Sequence, residues 1–436
     1  MIASVLDHLI CPSCGGALSP SPGVEDASGE ILYGVVRCEC AEYPIVEGIM
    51  SLGTGSGTPE VVDLVKRGDR HGALALSLSE GAQRALGRLR WVSRRRVFGR
   101  LAGRALIAWA LRQAAGDKRR LTTDAPLCSI LGTSTFETYL KHRFSAESFW
   151  PVFALLPLLR QRNGVVLDIG CGIGHASFAI ATTIRPGTLF SIDRTFWELF
   201  LARRYMSPES TLIAIDVNGP LPFRDASIDC VVALDMFHYV DSPTALVREI
   251  ERVTSQDGLV TMLHVHNALQ SNVAAGKPLP PTSWLQLFRR IPVRAFSEPR
   301  LVEDFMVRDQ LDLLQAHQAD DIDAANAIDL IGSRDGLLFR RYEGIREGAL
   351  DARANLRINP IFRRIPDDGA MRLEREFPSE YFRQEYPLSE KYLPPSVVID
   401  GLSADADLPR FVEERSEFVR HLMDNFVILP LPERYL

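Results

Sequence analysis

Between residues 150 and 265 the chain alternates short apolar runs with stretches of helical spacing. Val152 to Arg160 has the length and spacing of a helix. Val165 to Ile169 is continuous in apolar residues apart from Asp168, and it is short. Such a run reads as a strand buried on both faces. Gly170, Gly172 and Gly174 then break the run, and helical spacing resumes through Ala176, Phe178 and Ala179. Further strand-length runs follow at Thr188 to Asp193, Thr211 to Asp216, Ile228 to Asp235 and Leu259 to Val265, with a helix at Pro243 to Val253 before the last. Regular alternation of this kind predicts an α/β fold with a doubly wound, parallel sheet.

Three of the apolar runs end in acids, Asp193, Asp216 and Asp235, and the glycine spacing sorts the ligand that such a sheet would hold. Dinucleotide folds use G-x-G-x-x-G, which brings a helix N-terminus up to a pyrophosphate. Here the pattern is D-x-G-x-G-x-G, with Asp168 two residues before the first glycine. A carboxylate there repels a pyrophosphate and suits a ligand carrying an ammonium group and a sulfonium. Asp193 lies about twenty residues past the glycines, where α/β nucleoside sites place the carboxylate that accepts both ribose hydroxyls.

With its preceding acid, strand and helix, this segment resembles the first motif of the class I S-adenosylmethionine-dependent methyltransferases. Leu221-Pro222-Phe223 followed by Ile228 to Asp235 is similar to a later segment of that family. The resemblance implies a Rossmann-like, seven-stranded sheet, closed at one edge by a hairpin that we place at Ala327 to Ser333 and Gly336 to Phe339. It also implies a cofactor site. Asp168, Gly170, Gly172, Gly174 and Asp193 would hold the methionine and ribose parts of S-adenosylmethionine. Asp216, with Val217 beside it, would contact the adenine, and Asp235 completes the set.

Ligands of α/β sheets sit beyond the carboxyl ends of the strands. His238, after the fourth strand, and His264, His266 and Asn267, after the fifth, should therefore face one cleft. The three histidines are candidates for a base that takes a proton from the acceptor, although any one of them is equally at home in a core. The proline-bearing loop through Gly276 and Pro281 reads as a substrate loop. Leu140-Lys141-His142-Arg143-Phe144, with Phe149 and Trp150, is similar to the segment that crosses the cofactor in the family, whose positively charged and aromatic residues would contact the methionine carboxylate or the adenine, the alternative being a packing role.

Of the seven cysteines, four form a second constellation. Cys11 and Cys14 make a C-x-x-C knuckle, and Cys38 and Cys40 supply a second pair after a strand-like stretch. Four thiolates on two short turns suit structural zinc, and a segment this small needs such a staple. With Tyr43-Pro44-Ile45 and Gly48-Ile49, the segment resembles the zinc ribbons of small methyltransferase-associated proteins (Trm112-like and UPF0434-like), except that its second pair is C-x-C. Cys128, Cys171 and Cys230 read as packing residues.

Residues 84–120 are rich in arginine, with Arg96, Arg100 and Arg104 four apart on one side of an expected helix. The readings are a solvated helix packed on the core, a membrane-surface helix, and a cradle for an anionic or lipid-linked substrate. The net charge of −6 argues against a dominant nucleic-acid surface. There is no signal-peptide pattern, and no uncharged apolar stretch reaches the ~20 residues of a membrane span. We therefore expect a cytoplasmic protein with reduced thiols.

The expected organisation is a zinc ribbon over 1–52 and a linker with the basic helical region over 53–148. A methyltransferase domain over 149–345 and a C-terminal accessory segment over 346–436, covering the active site or forming a partner surface, complete it. A homodimer is a candidate assembly. The function expected is methyl transfer to an oxygen or nitrogen, a carboxylate included, of a small molecule, sugar, peptide or lipid-linked intermediate. The alternatives are a ribosomal-RNA-type methyltransferase with zinc-ribbon recognition, and a non-catalytic S-adenosylmethionine-binding partner protein.

Overall fold

The computed structural model describes residues 3–21, 29–53, 59–78, 137–162, 164–183, 189–272, 276–346, 355–367, 370–400 and 416–435. The arginine-rich stretch 84–120 and Cys128 lie outside the described residues.

The N-terminal segment forms strands β1 (Ser19–Pro20), β2 (Gly34–Arg37), β3 (Glu42–Val46) and β4 (Ile49–Ser51). The central strands are β5 (Val166–Ile169), β6 (Leu189–Asp193), β7 (Thr211–Ala214), β8 (Ile228–Leu234) and β9 (Thr254–His266). After them come β10 (Val293–Ser297), β11 (Gln310–Asp312) and β12 (Ala327–Gly332). One sheet of 11 strands joins most of these in the order β1-β2-β3-β4-β7-β6-β5-β8-β9-β12-β10. Its seven strands from β7 to β10 are the expected doubly wound sheet. Strands β5 to β9 run parallel, and β12 and β10 close the edge antiparallel. All four residues of β5 are buried, as their near-continuous apolar character requires.

The closing hairpin differs from expectation in one partner. β12 pairs with β10, Ala295 opposite Leu330, whereas Gly336–Leu338 forms a single 3-10 turn. The Asp335 carboxylate accepts the Leu337 N–H at 2.9 Å and starts that turn, and Leu337 is 83% exposed. A side-chain cap at the start of a run as short as Gly336–Phe339 outweighs its apolar character. The true partner, Val293–Ser297, is five residues long without strict polar–apolar alternation, and so does not stand out in the sequence.

The ribbon extends the sheet instead of standing apart from it. β4 pairs in parallel with β7, Met50 opposite Ile213 and Ser51 opposite Ala214. The Leu52 N–H continues the ladder to the Ala214 carbonyl at 2.8 Å. A second tie runs from the Ile10 N–H to the Pro222 carbonyl at 3.0 Å. Without β4, β7 would be an unpaired edge, an arrangement that folded proteins avoid.

On the other side, the helix Trp150–Arg162 is apolar nearly all round, with Trp150, Val152, Phe153, Leu155, Leu156, Leu158 and Leu159 all buried. A helix of that kind needs a cover on both faces. The C-terminal segment supplies it, with Phe426 packing on Trp150 and Phe153 at ring separations of 5.3 and 5.6 Å. Ser389 donates its N–H to the Glu147 carboxylate at 2.9 Å, and its hydroxyl donates to the Ser145 carbonyl at 3.1 Å. The fully buried Asn359 donates to the Phe426 carbonyl at 2.8 Å, accepts the Ile361 N–H at 3.1 Å, and accepts the Ser145 hydroxyl. Asn359→Ala leaves these buried groups unpaired. We expect it to destabilise the chain by about 1–3 kcal/mol, read as a lower urea midpoint; an unchanged midpoint would show that the segment is not docked through this residue.

Candidate cofactor and acceptor site

Beyond the carboxyl ends of β5, β6, β7 and β8 lies a cavity of about 650 Å³. On one side it is lined by Asp168, Gly170, Gly172, Asp193, Asp216 and Val217. The turn after β5 is possible only with glycine. Gly170 has φ of +69°, and a Cβ there would lie 2.7 Å from Cγ of Met236. Gly174, with φ of +88°, does not line the cavity. Its missing side chain lets Ala202 approach, and an added Cβ would lie 3.2 Å from the Ala202 Cβ.

Asp193 organises the glycine turn. One oxygen accepts the Gly172 N–H at 3.1 Å and the other the Thr195 N–H at 2.8 Å. Asp216 accepts the Asn218 N–H at 2.9 Å, which fixes the loop carrying Val217. Asp168 is fully buried; one oxygen accepts the Ser177 hydroxyl at 2.6 Å, and the other has no hydrogen-bond partner among the described residues. Burial pushes the Asp168 carboxyl up to about 7; the Ser177 bond opposes this and the nearby Asp193 charge adds to it. An orphaned buried oxygen facing such a turn fits a ligand that brings its own positive charge.

The other side of the cavity comes largely from outside the sheet: Tyr139, Arg143, Tyr381, Glu385 and Tyr386. Sequence reasoning reached Arg143 only as part of the segment 140–144 and missed the individual residues of the C-terminal segment, because they adjoin no motif and reach the cavity only through docking of that segment. Arg143 is 2% exposed. Its guanidinium pairs with the Asp235 carboxylate at 2.9 Å, donates to the Ser148 hydroxyl at 2.7 Å and lies over the Tyr139 ring at 5.2 Å. Asp235 therefore faces the acceptor side and is held by an arginine. Its carboxyl is kept below the ordinary range because Arg143 and the neighbouring histidines outweigh the opposing effect of burial.

The three histidines converge behind Asp235 but do not line the cavity. His238 is fully buried and stacks on His266 at 3.6 Å. Burial lowers His238 to about 3 and His266 to about 4, so both are neutral and weakly basic. His264 differs: burial lowers its pKa, but the Glu298 and Asp235 carboxylates raise it to about 9. Its Nδ1 lies 2.9 Å from both Glu298 oxygens. None of the three is tuned to accept a proton near neutral pH, which argues against the base role expected of them. Asn267 is buried in structural bonds, donating to the Ala325 carbonyl at 2.9 Å.

In the ribbon, the four thiols meet. Cys11 and Cys40 are 3.5 Å apart, Cys38 and Cys40 3.3 Å, and Cys14 and Cys38 3.9 Å. A tetrahedral thiolate centre with zinc–sulfur bonds of 2.3 Å requires separations of about 3.8 Å. The tighter C-x-C pair is thus no obstacle to a four-cysteine site. Burial raises the Cys11 thiol, yet the Tyr43 hydroxyl at 3.1 Å and the Cys14 and Ser13 N–H groups bring it down to about 6.

Residues 167–262 match the family described as "Methyltransferase domain". This part of the chain is a methyltransferase domain. Among solved structures, similarity is found to a complex between the Haloferax volcanii Trm112 methyltransferase activator and a putative methyltransferase. It is 18% identical, with a TM-score of 0.33, covering 43% of this chain and 91% of that one. A TehB-like S-adenosylmethionine-dependent methyltransferase from Corynebacterium glutamicum is 15% identical, with a TM-score of 0.31, covering 42% and 86%. A Thermotoga maritima protein described as a possible histamine N-methyltransferase is 13% identical, with a TM-score of 0.31, covering 48% and 98%. No helix among the described residues is long and apolar enough to cross a membrane.

Asp168 gives the methyltransferase domain a testable pH dependence. Its carboxyl titrates near 7 when folded against an ordinary 3.8, so the folded state keeps a proton that the unfolded state releases in that interval. Stability present below the lower value is lost as pH rises toward the upper one. Asp168→Asn should flatten this decline and stabilise the ligand-free protein by roughly 1–3 kcal/mol at about pH 8. Urea midpoints measured across this range check it, and parallel slopes in the two proteins would refute it.

Proposed function

We propose that the chain transfers a methyl group from S-adenosylmethionine to an oxygen or nitrogen, a carboxylate oxygen included, of a small molecule, sugar, peptide or lipid-linked biosynthetic intermediate. The observation that carries this reading is the two-sided cavity of about 650 Å³, well within the roughly 300–1,000 Å³ of small-molecule sites. One side presents the glycine turn and strand-end carboxylates. The other presents tyrosines and charges from beyond the sheet.

Asp168 would meet the positive charge of the methionine portion, Asp193 the ribose hydroxyls, and Asp216 with Val217 the adenine. S-adenosylmethionine supplies a methyl group already made electrophilic by its sulfonium, so the protein contributes orientation and exclusion of water. Tyr381, Glu385 and Tyr386 roof the acceptor side, while Arg143 holds Asp235 beneath them. Glu198 and Glu385 in the lining disfavour a phosphate backbone, which places RNA second as a substrate. Cys11, Cys14, Cys38 and Cys40 hold structural zinc in this reading, and β4 transmits the order of the ribbon to the strand that precedes Asp216.

The test of function is incubation of the full chain with methyl-labelled S-adenosylmethionine and a fractionated cell extract. Label is expected in a small-molecule, peptide or lipid fraction; label in RNA would overturn the substrate class, and no label with intact cofactor binding would leave a binding protein. Once an acceptor is known, Glu385→Gln and Tyr386→Phe should raise its KM by about 10-fold while S-adenosylmethionine affinity stays within about 2-fold. Equal losses in both would deny the C-terminal segment its acceptor role.

For the ribbon, chelation or Cys38→Ser should lower the thermal midpoint of the whole chain by roughly 10 °C. Scanning calorimetry reads this directly. A midpoint indifferent to chelation would mean that the ribbon folds without metal.

A further inference from the structure

We propose a second metal site, formed by Asp235, His264 and His266 at the acceptor end of the cavity, for a divalent transition-metal ion such as iron(II), cobalt(II) or zinc. Each residue offers one donor atom, and these atoms all lie within 4.8 Å of one another. One ion at bond lengths of about 2.0–2.2 Å can reach all three after small side-chain rotations. Two imidazoles and one carboxylate, without thiolate, make a donor set of intermediate hardness that leaves coordination positions open.

Five further observations point the same way. His266 is buried, and its Nδ1 has no hydrogen-bond partner among the described residues. The buried Glu298 accepts from His264 Nδ1 at 2.9 Å, which leaves Nε2 as the nitrogen that would release its proton and bind the ion, as carboxylates behind metal-binding histidines arrange. Asp235 and His264, at the ends of neighbouring strands, both hold φ of +53°, a conformation rare outside glycine and found where the surroundings enforce a particular side-chain placement. The His264 N–H is pinned by the buried Asp329 carboxylate at 3.0 Å. Arg143 occupies one Asp235 oxygen and leaves the other, 3.6 Å from His238 Nε2, on the histidine side.

The open positions would face the cavity through Asp235, which lines it. The role of the ion rests on the methyltransferase reading and narrows the acceptor to an oxygen acid, a phenol, enol or alcohol. Coordination lowers the pKa of the hydroxyl, whose proton leaves to solvent. The oxygen lone pair then forms the bond to the methyl carbon as the carbon–sulfur bond breaks. That electron pair stays on sulfur, giving a neutral thioether.

The test uses the full chain, stripped of metal and titrated with cobalt(II). The ribbon thiolates give intense sulfur-to-cobalt charge-transfer bands. The proposed site adds one further equivalent of cobalt, with d–d bands and no added charge transfer, and phenol should shift those bands. His266→Asn should lose the extra equivalent and the phenol response while the ribbon bands persist, which also shows that the variant is folded. Saturation at the thiolate equivalent alone, or the same cobalt content and spectra in His266→Asn, would overturn the site; extra cobalt blind to phenol would overturn its acceptor role. Titration with S-adenosylmethionine of the chain loaded with metal at the ribbon alone keeps the two readings apart, because failure there sinks the methyltransferase reading and leaves the cobalt result standing.

Discussion

Parallel pairing of β5 to β9 is the constraint on which the rest of the molecule depends. Parallel strands all finish on the same side, so whatever follows each strand is delivered to one rim. Here those positions carry Asp168, Asp193, Asp216, Asp235, His264 and His266. In an antiparallel sheet the same residues would be shared between opposite rims. The pairing also forces burial of both faces, which is why Asp168 is desolvated and drawn to a pKa near 7.

Burial on both faces and at the edges must be completed from elsewhere in the chain. The ribbon completes one edge, since β4 pairs with β7 just ahead of the turn that bears Asp216. The C-terminal segment completes one face, covering the helix Trp150–Arg162 through Phe426 and tying Glu147 and Asn359 into buried hydrogen bonds. Both additions therefore act on the cavity. One supports the strand leading to the adenine side, and the other brings Tyr381, Glu385 and Tyr386 to the acceptor side.

Electrostatic differences separate the two sides. On the side of the glycine turn, Asp168, Asp193 and Asp216 lie together, and one Asp168 oxygen has no hydrogen-bond partner among the described residues. On the acceptor side, Arg143 neutralises Asp235 at 2.9 Å, and Glu298 plays the opposite part for His264 at 2.9 Å. A buried charge left without a partner costs several kcal/mol, so the first arrangement suits a cationic ligand, whereas in the second Asp235 and His264 each already have one charged partner in the chain.

The strands, their order of appearance, the glycine turn and the four thiols were legible in the sequence because each rests on local chemistry. Buried strands show as apolar runs, Gly170 tolerates a backbone that other residues resist, and cysteine spacing is set by the metal geometry it suits. The partner of β12, the joining of the ribbon to β7 and the particular residues by which the C-terminal segment lines the acceptor side were not legible. Each depends on a contact between segments far apart in sequence, such as Ser389 with Glu147, where neither partner carries a motif. The histidines show the division most clearly. Their arrival near the carboxyl ends of β8 and β9 followed from the sequence, although His264 and His266 fall inside β9, whereas the pairing of His264 with Glu298 and the stacking of His238 on His266 come about only in the folded chain. Local patterns determine which elements form and at which rim they end; the identity of the groups that face one another across that rim belongs to tertiary packing.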